Sequence, residues 1–451
     1  MEKYILRSLN LTPEDVESIV PISSKNGHSD YLITLKIKDH FCPKCGCLTN
    51  RVKDYRIQKV KAKIFNDGST TVFYKSRRYV CKECGKAFKE RTTLIGDKKT
   101  ISQNTAASIL EDLKPYNSTF SSVARKYNVS VTSVMNLFDG HVQIPPGTVS
   151  EIMCWDEFYF SRHRKNKYAF IMLNFKNKAI IDILESRRTQ FLSDYFFQIS
   201  TNLRNRVKII IIDMNSTYRD IAHAFFKNAT VCVDSFHVSQ YFNDALNRIR
   251  KKVMNRYTKD KRSIEYRLLK QRRKLLFKRY SQLEYAEPRY DHVMKYHITE
   301  REIVKTILNI DSNLKKAYEL KEQYFDFNQI TEETYTGRLY KEKELDRLIL
   351  NCIESGIIQM VKCGKTLNEW KTEILNSFIW VDGKRVSNGP VEGKNSYIKK
   401  ILFNANGFVN FERARNKIMY SQNHSQRYSP NKKQRVIKRK GKPRGKYKKS
   451  N

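Results

Sequence analysis

Apolar and polar residues alternate from Tyr31 to Ile37 (Tyr-Leu-Ile-Thr-Leu-Lys-Ile), the period of a strand with one buried face. Similar patterning fills residues 31–95, so a small β-rich module is expected there, behind a lead-in that ends in the polar turn 23–27. The period becomes helical over 100–142, and Pro145-Pro146-Gly147 reads as a linker. Strands are then expected at 152–158, 167–174, 179–185, 207–213 and 230–233, with helices at 190–198 and 218–226. Residues 244–375 keep a helical pattern, broken near Pro288 and Gly337, and 376–427 return to strand, turn and helix.

Three strands followed by helix, strand, helix, strand is the order of an RNase H-like mixed sheet. The expected fold class is therefore multidomain α/β. Its parts are an N-terminal zinc-ribbon module (1–95), a helix-turn-helix (100–142), an RNase H-like core in two parts (150–243 and 376–427), a large all-helical insertion between them (244–375) and a basic tail (428–451). No repeat of solenoid period is present.

Charge narrows the partner. Lys and Arg number 86 against 46 Asp and Glu, a net +40. Such an excess strains a compact chain by self-repulsion and becomes favourable beside a polyanion, where neutralised phosphates release counterions. The tail is the extreme case, with 11 Lys or Arg in residues 431–450, and is expected to stay disordered until it meets phosphate. No apolar run is long enough to span a bilayer and the N-terminus has no secretory pattern. Nucleic acid is the expected partner, with a solvated basic surface or a ribosome-associated protein as the plainer alternative, and a cytoplasmic location is expected.

Nine cysteines are too few and scattered for a disulfide scaffold. Four of them form Cys42-Pro-Lys-Cys45-Gly and Cys81-Lys-Glu-Cys84-Gly, two knuckles whose thiolates suit tetrahedral Zn²⁺; four reduced structural thiols are the plainer alternative. Cys47 is an unpaired neighbour, and Cys154, Cys232, Cys352 and Cys363 read as apolar fillers.

Residues 120–127, capped by Ser118 or Thr119, and 131–139, capped by Ser130, make two short helices about an Asn128-Val129 turn. In a helix-turn-helix the second helix enters the major groove, so Thr132, Ser133 and Asn136 would face bases and Arg125 and Lys126 phosphates. A plain helical hairpin has the same pattern.

Three carboxylates stand out. Asp156 and Asp213 end apolar strands, where a charge is costly to desolvate unless it meets a cation. Glu392 follows Asn388-Gly389-Pro390, which would launch a helix carrying it on the first turn. Three such groups suit two Mg²⁺ (or Mn²⁺) ions; read on periodicity alone, they are equally ordinary capping acids.

Asp156-Glu157-Phe158, Asp213-Met214, Val233-Asp234-Ser235-Phe236-His237-Val238 and Asn388-Gly389-Pro390-Val391-Glu392-Gly393 together resemble the ISL3 family of insertion-sequence transposases, over essentially the whole chain. The resemblance implies a catalytic and Mg²⁺-binding triad of Asp156, Asp213 and Glu392. It also implies a helical domain inserted ahead of the Glu, which fits the long separation of Asp213 from Glu392. Asp234 and His237 match a D-x-x-H motif that would shape the active site; a structural hydrogen-bonded pair is the alternative. Residues 162–167 lack the Gly expected in that hairpin. The implied activity is cleavage at the terminal inverted repeats of a mobile element and joining to target DNA, by a homodimer or higher oligomer on DNA. A non-catalytic or decayed zinc and helix-turn-helix regulator is the competing reading, against which stands the presence of all three carboxylates. A junction-resolving nuclease would be far smaller and would need neither reader.

Deleting residues 431–451 should reduce the salt dependence of DNA binding while preserving preference for element ends. Gel shifts across a salt series measure both, and lost end preference would make the tail a reader of sequence.

Overall fold

The computed structural model describes residues 2–23, 29–64, 70–95, 100–161, 165–331, 335–423 and 425–429. Part of the 162–167 hairpin and nearly all of the basic tail lie outside them. The chain divides into two compact units, residues 1–145 with 396–451 and residues 146–395. Among the described residues no helix is long and apolar enough to cross a membrane.

The first unit opens with helix α1 (Glu2–Ser8) and strands β1 (Val16–Ser23), β2 (Ser29–Leu35), β3 (His40–Phe41), β4 (Leu48–Thr49), β5 (Val52–Ala62), β6 (Thr70–Val80) and β7 (Ala87–Lys89). The order β1-β2-β6-β5, with β7 also on β6, makes one five-stranded sheet, and β3-β4 make a small hairpin. The period-two expectation is met on β2, where Tyr31, Ile33 and Leu35 are buried. In the middle of β6 the buried Arg77 bonds Glu90 at 3.1 Å. A buried charge needs such a partner.

Helices α2 (Gln103–Asp112), α3 (Phe120–Lys126) and α4 (Val131–His141) follow. Thr119 caps α3 through the Ser122 N–H, and Ser130 caps α4 through that of Ser133, because β-hydroxyls satisfy orphan first-turn amides. Asn128, at φ +48°, makes the turn between them.

A fourth helix, Phe411–Gln422, comes from the far end of the chain. Tyr420 is fully buried against Phe138 and donates to the Leu110 carbonyl at 3.2 Å. Arg413 grips Asp139 with two nitrogens, at 2.9 and 2.7 Å. The buried Lys417 ammonium reaches the carbonyls of Leu113 and Pro115, at and just beyond the end of α2. The chain stays tied to α4 as far as Ser429, whose N–H donates to the His141 carbonyl at 2.8 Å. Residues 376–427, grouped by sequence as one return to the core, thus divide after Asn395 because these three side chains bind the last helix to α2 and α4.

The second unit carries β8 (Ile152–Tyr159), β9 (Tyr168–Asn174), β10 (Ile180–Leu184), helices α5 (Thr189–Phe197) and α6 (Thr201–Arg204), β11 (Ile209–Ile212), α7 (Ser216–Phe225), β12 (Thr230–Val233) and α8 (Ser235–Asn255). The sheet order is β10-β9-β8-β11-β12. The first three strands are antiparallel, and β11 is parallel to both β8 and β12. Trp155 on β8 is fully buried, stacked on Phe196 at 5.0 Å and edge-on to Phe226.

From α8 onward the chain is mainly helical, through Ile264–Gln271, Glu300–Leu308, Ser312–Asn328, Tyr335–Glu354, Ile358–Glu369 and Lys371–Asn376. It is not all helical. Arg289–Asp291 pairs with Tyr296–Ile298 as an antiparallel hairpin, and two 3₁₀ turns precede it. The reason is local. Pro288 interrupts the helical pattern, Lys295 takes φ +62° at the turn, and the buried Asp291 carboxylate accepts from the Val293 and Met294 N–H groups of that turn. The helices share one core with the sheet, as where Phe242 stacks on Tyr324 at 4.9 Å.

Replacing Tyr420 with Ala should destabilise the α2–α4 module by about 3–5 kcal/mol, the cost of a large ring lost from a packed site. Thermal unfolding followed by circular dichroism would report it. Unchanged unfolding would remove the last helix from that module.

Candidate metal centres and active site

Two groups of ligand-type side chains form among the described residues. The first is Cys42, Cys45, Cys81 and Cys84. Each knuckle turns at a glycine with positive φ, Gly46 at +74° and Gly85 at +65°, a conformation that costs glycine nothing. The Lys44 N–H points at Cys42 Sγ, 3.4 Å away. Strands β5 and β6 bring the knuckles together, leaving Cys42–Cys84 at 3.6 Å and Cys45–Cys81 at 3.5 Å between sulfurs. A zinc tetrahedron with bonds of about 2.3 Å has edges of about 3.8 Å, so the four thiols fit Zn²⁺ in number, type and spacing. Cys47 contributes backbone groups, its carbonyl accepting from the Cys42 N–H and its N–H donating to the Cys45 sulfur. Cys154, Cys232, Cys352 and Cys363 are buried.

The second site follows from strand register. Ile211 pairs with Cys154 on β8 and with Cys232 on β12. Two residues further along each chain stand Asp213, Asp156 and Asp234. Side chains two apart share a sheet face, so three carboxylates lie at one level and on one face of three adjacent strands. Asp213 and Asp234 stand just past the ends of β11 and β12. Asp156 lies within β8, which pairs on to Tyr159 and so does not end at Asp156 as its sequence pattern suggests. The opposite face, with Trp155, Ile210, Ile212, Val231 and Val233, belongs to the aromatic core.

Glu157 obeys the same alternation. It takes the other face, where the Tyr218 hydroxyl of α7 and Arg187 both donate to it. Asp156 instead receives the Asn395 amide at 2.6 Å. Asn388 donates to the Trp155 carbonyl at 2.9 Å and to Asp213 at 3.0 Å, tying the middle of β8 to the end of β11. Glu392 lies in the first turn of the helix Gly389–Asn404.

Asp234 caps α8 through the Phe236 N–H, and His237 follows in the first turn. His237 Nε2 lies 2.9 Å from Asp213 and 3.9 Å from Glu392. Asp213, Asp234 and His237 form the compact second group. Asp156 and Glu392 stand beside it, reached through Asp213 and His237. Burial, then the charge of Asp213, push the Asp156 carboxyl up to about 7. Burial raises Asp234 as well. It would lower His237, but the hydrogen bond and charge of Asp213, with Asp234 and Asp156, outweigh it and raise the imidazolium to about 9. Clustered hard oxygen donors of this kind are the ligand type that a divalent cation takes.

The sequence matches the transposase family model of the ISL3 group over residues 153–418, well over half the chain. The chain belongs to the ISL3 transposase family. Residues 38–84 match the zinc-finger of transposases IS204/IS1001/IS1096/IS1165, which contains all four knuckle cysteines and makes the N-terminal module a zinc ribbon of that type. The transposase for insertion sequence element IS1001 of Bordetella parapertussis is 23% identical over 248 residues. That similarity covers 54% of this ISL3-family chain and 60% of the relative's length.

The remaining residues singled out by sequence sit on α3 and α4. Arg125, Lys126, Thr132 and Asn136 are exposed and Ser133 is half-buried. Lys126 is paired with Asp112 at 2.7 Å, and Ser133 shares a hydrogen bond with the Ser130 cap. Sequence reasoning missed Asn388 and Asn395 as members of the carboxylate site. The signal was present: positions 388, 392 and 395 are spaced i, i+4, i+7 and lie along one side of a helix.

The purified protein should carry about one Zn²⁺ per chain. Cys81→Ser should lower zinc content, read by atomic absorption, and weaken binding to element ends while the second unit stays folded. Full zinc occupancy with all four cysteines changed to serine would remove the assignment.

Proposed function

We propose that this chain is the transposase of an ISL3-type insertion sequence, which binds the element's terminal inverted repeats in double-stranded DNA, cuts at the element ends and joins the freed end to target DNA. The observation that carries the proposal is the level register of Asp156 and Asp213 on neighbouring parallel strands, with Glu392 held nearby through His237. The mixed sheet order, three antiparallel strands and then two parallel ones, supports an RNase H-like core. The capped α3–α4 pair with its tight turn supports a helix-turn-helix, with Thr132, Ser133 and Asn136 towards bases and Arg125 and Lys126 towards phosphates. The net charge of +40 supports a DNA partner. We place the enzyme's work at the nucleoid, as an oligomer on DNA.

Asp156, Asp213 and Glu392 would hold Mg²⁺ or Mn²⁺, which when bound supplies a lowered pKa for the attacking oxygen and charge neutralisation for the leaving one. The chain's own part is alignment. Asn388 and Asn395 donate neutral hydrogen bonds to the two aspartates, and His237 holds Asp213 and Glu392 within reach of one imidazole. Asp234 fixes His237 by capping the helix that carries it. Glu157 is structural, locked by Tyr218 and Arg187.

Asp156→Ala, Asp213→Ala and Glu392→Ala should each abolish cleavage and joining of a labelled element end in Mg²⁺, yet leave gel-shift binding to the same DNA intact or slightly tighter, since a negative charge is lost beside a polyanion. Glu157→Gln keeps the shape of the side chain and one of its two acceptor oxygens, lies on the face away from the acids, and should retain most activity. Cleavage at the wild-type rate by the Glu392 variant would overturn the triad.

A further inference from the structure

We propose that Asn395 is a positioning residue for Asp156, fixing by a neutral hydrogen bond the carboxylate orientation that receives the divalent cation; this rests on the transposase reading above. Three observations lead to it. First, Asn395 is buried and its amide donates to Asp156 at 2.6 Å. Second, its Oδ1 is buried with no hydrogen-bond partner, as is that of Asn388. Two orphaned oxygens beside two aspartates are costly to bury. They are compensated when a cation or its bound water completes the cluster. Third, Asn388, Glu392 and Asn395 occupy one side of the same helical segment, so a single rigid element sets the Asp213 donor, the third carboxylate and the Asp156 donor together.

The neutrality of the donor is the point. A Lys or Arg in place of Asn395 would pair with Asp156 and occupy the charge that the cation needs. An amide orients the same oxygen and leaves the charge free. Partners that orient metal-binding carboxylates commonly carry a tenfold or greater share of metal affinity.

The test uses full-length protein and Mn²⁺ as the probe. Binding is measured by calorimetry without DNA, and cleavage of an element end is titrated with Mg²⁺. Asn395→Ala and the near-isosteric Asn395→Leu should each weaken Mn²⁺ binding roughly tenfold and shift the Mg²⁺ half-point upward by a similar factor. Saturating Mg²⁺ should restore most of the rate, a recovery that a loss of fold would not allow. The leucine substitution keeps the buried volume and removes the orphaned oxygen, so it separates a lost donor from a collapsed helix. Wild-type Mn²⁺ affinity and half-point in Asn395→Leu, with Asp156→Ala still failing to bind Mn²⁺, would overturn the positioning role alone. Undiminished Mn²⁺ binding by Asp156→Ala would overturn the carboxylate reading and this proposal with it.

Discussion

The structure of the second unit turns on one electrostatic constraint: Asp156, Asp213 and Asp234 stand on three adjacent strands at the same level and on the same face. Neighbouring strands lie about 4.8 Å apart, so three like charges there cannot all ionise cheaply without a counter-charge. The neighbouring groups answer that problem. Asp156 is pushed up to about 7, His237 is drawn up to about 9 by the acids around it, and Asn388 and Asn395 direct their amide donors at the two aspartates. Packing alone would favour apolar residues at those positions, so the acids are costly to the fold.

That constraint also explains the division of labour along β8. Successive residues of a strand point to opposite faces, so Trp155 and Glu157 are committed to the aromatic core and Tyr218, while Asp156 is committed to the acidic face. The core side is rigid: Trp155 lies among Phe170, Phe196 and Phe226 with ring centroids 5.0–5.6 Å away. A carboxylate on a strand so fixed has little backbone freedom, and only its side-chain torsions remain to be set. The helical insertion contributes in the same way. It shares the sheet's core, so the helix bearing His237 is anchored by the stack of Phe242 on Tyr324, whose hydroxyl also donates to the Ser235 carbonyl at 3.1 Å.

Much of this is legible in the sequence because its strongest signals are periodic or chemically distinctive. The five strands of the core fall within two residues of their expected ends, since buried parallel strands read as continuous apolar runs such as Ile209–Ile212. The cysteine knuckles are set by four residues and two glycines and need no tertiary information. The 289–298 hairpin is hidden inside a helical stretch because its strands are three residues each, too short to establish a period. The fourth helix of the α2–α4 module is hidden for a different reason. Nothing in residues 411–422 announces that Arg413 and Lys417 answer Asp139 and the end of α2, for such pairings between distant parts of the chain leave no local pattern.

The asparagines show where pattern reading stops. Asn388 reads as a turn residue, which it is, since its carbonyl accepts the first bonds of the following helix. Its side chain has a second task that a turn propensity cannot express. Asn395 sits mid-helix, where asparagine is a poor helix former and an alanine would serve the backbone better. A residue that weakens its own helix, is buried, and leaves one oxygen without a partner is locally unfavourable on three counts. Such departures from local consistency concentrate at functional sites, and here the compensation is specific. The amide is long enough to reach Asp156, short enough to be held rigidly, and uncharged, so it orders the acid without neutralising it. Lysine, arginine or histidine would satisfy Asp156 more strongly and, for that reason, would compete with any cation drawn to the acidic face.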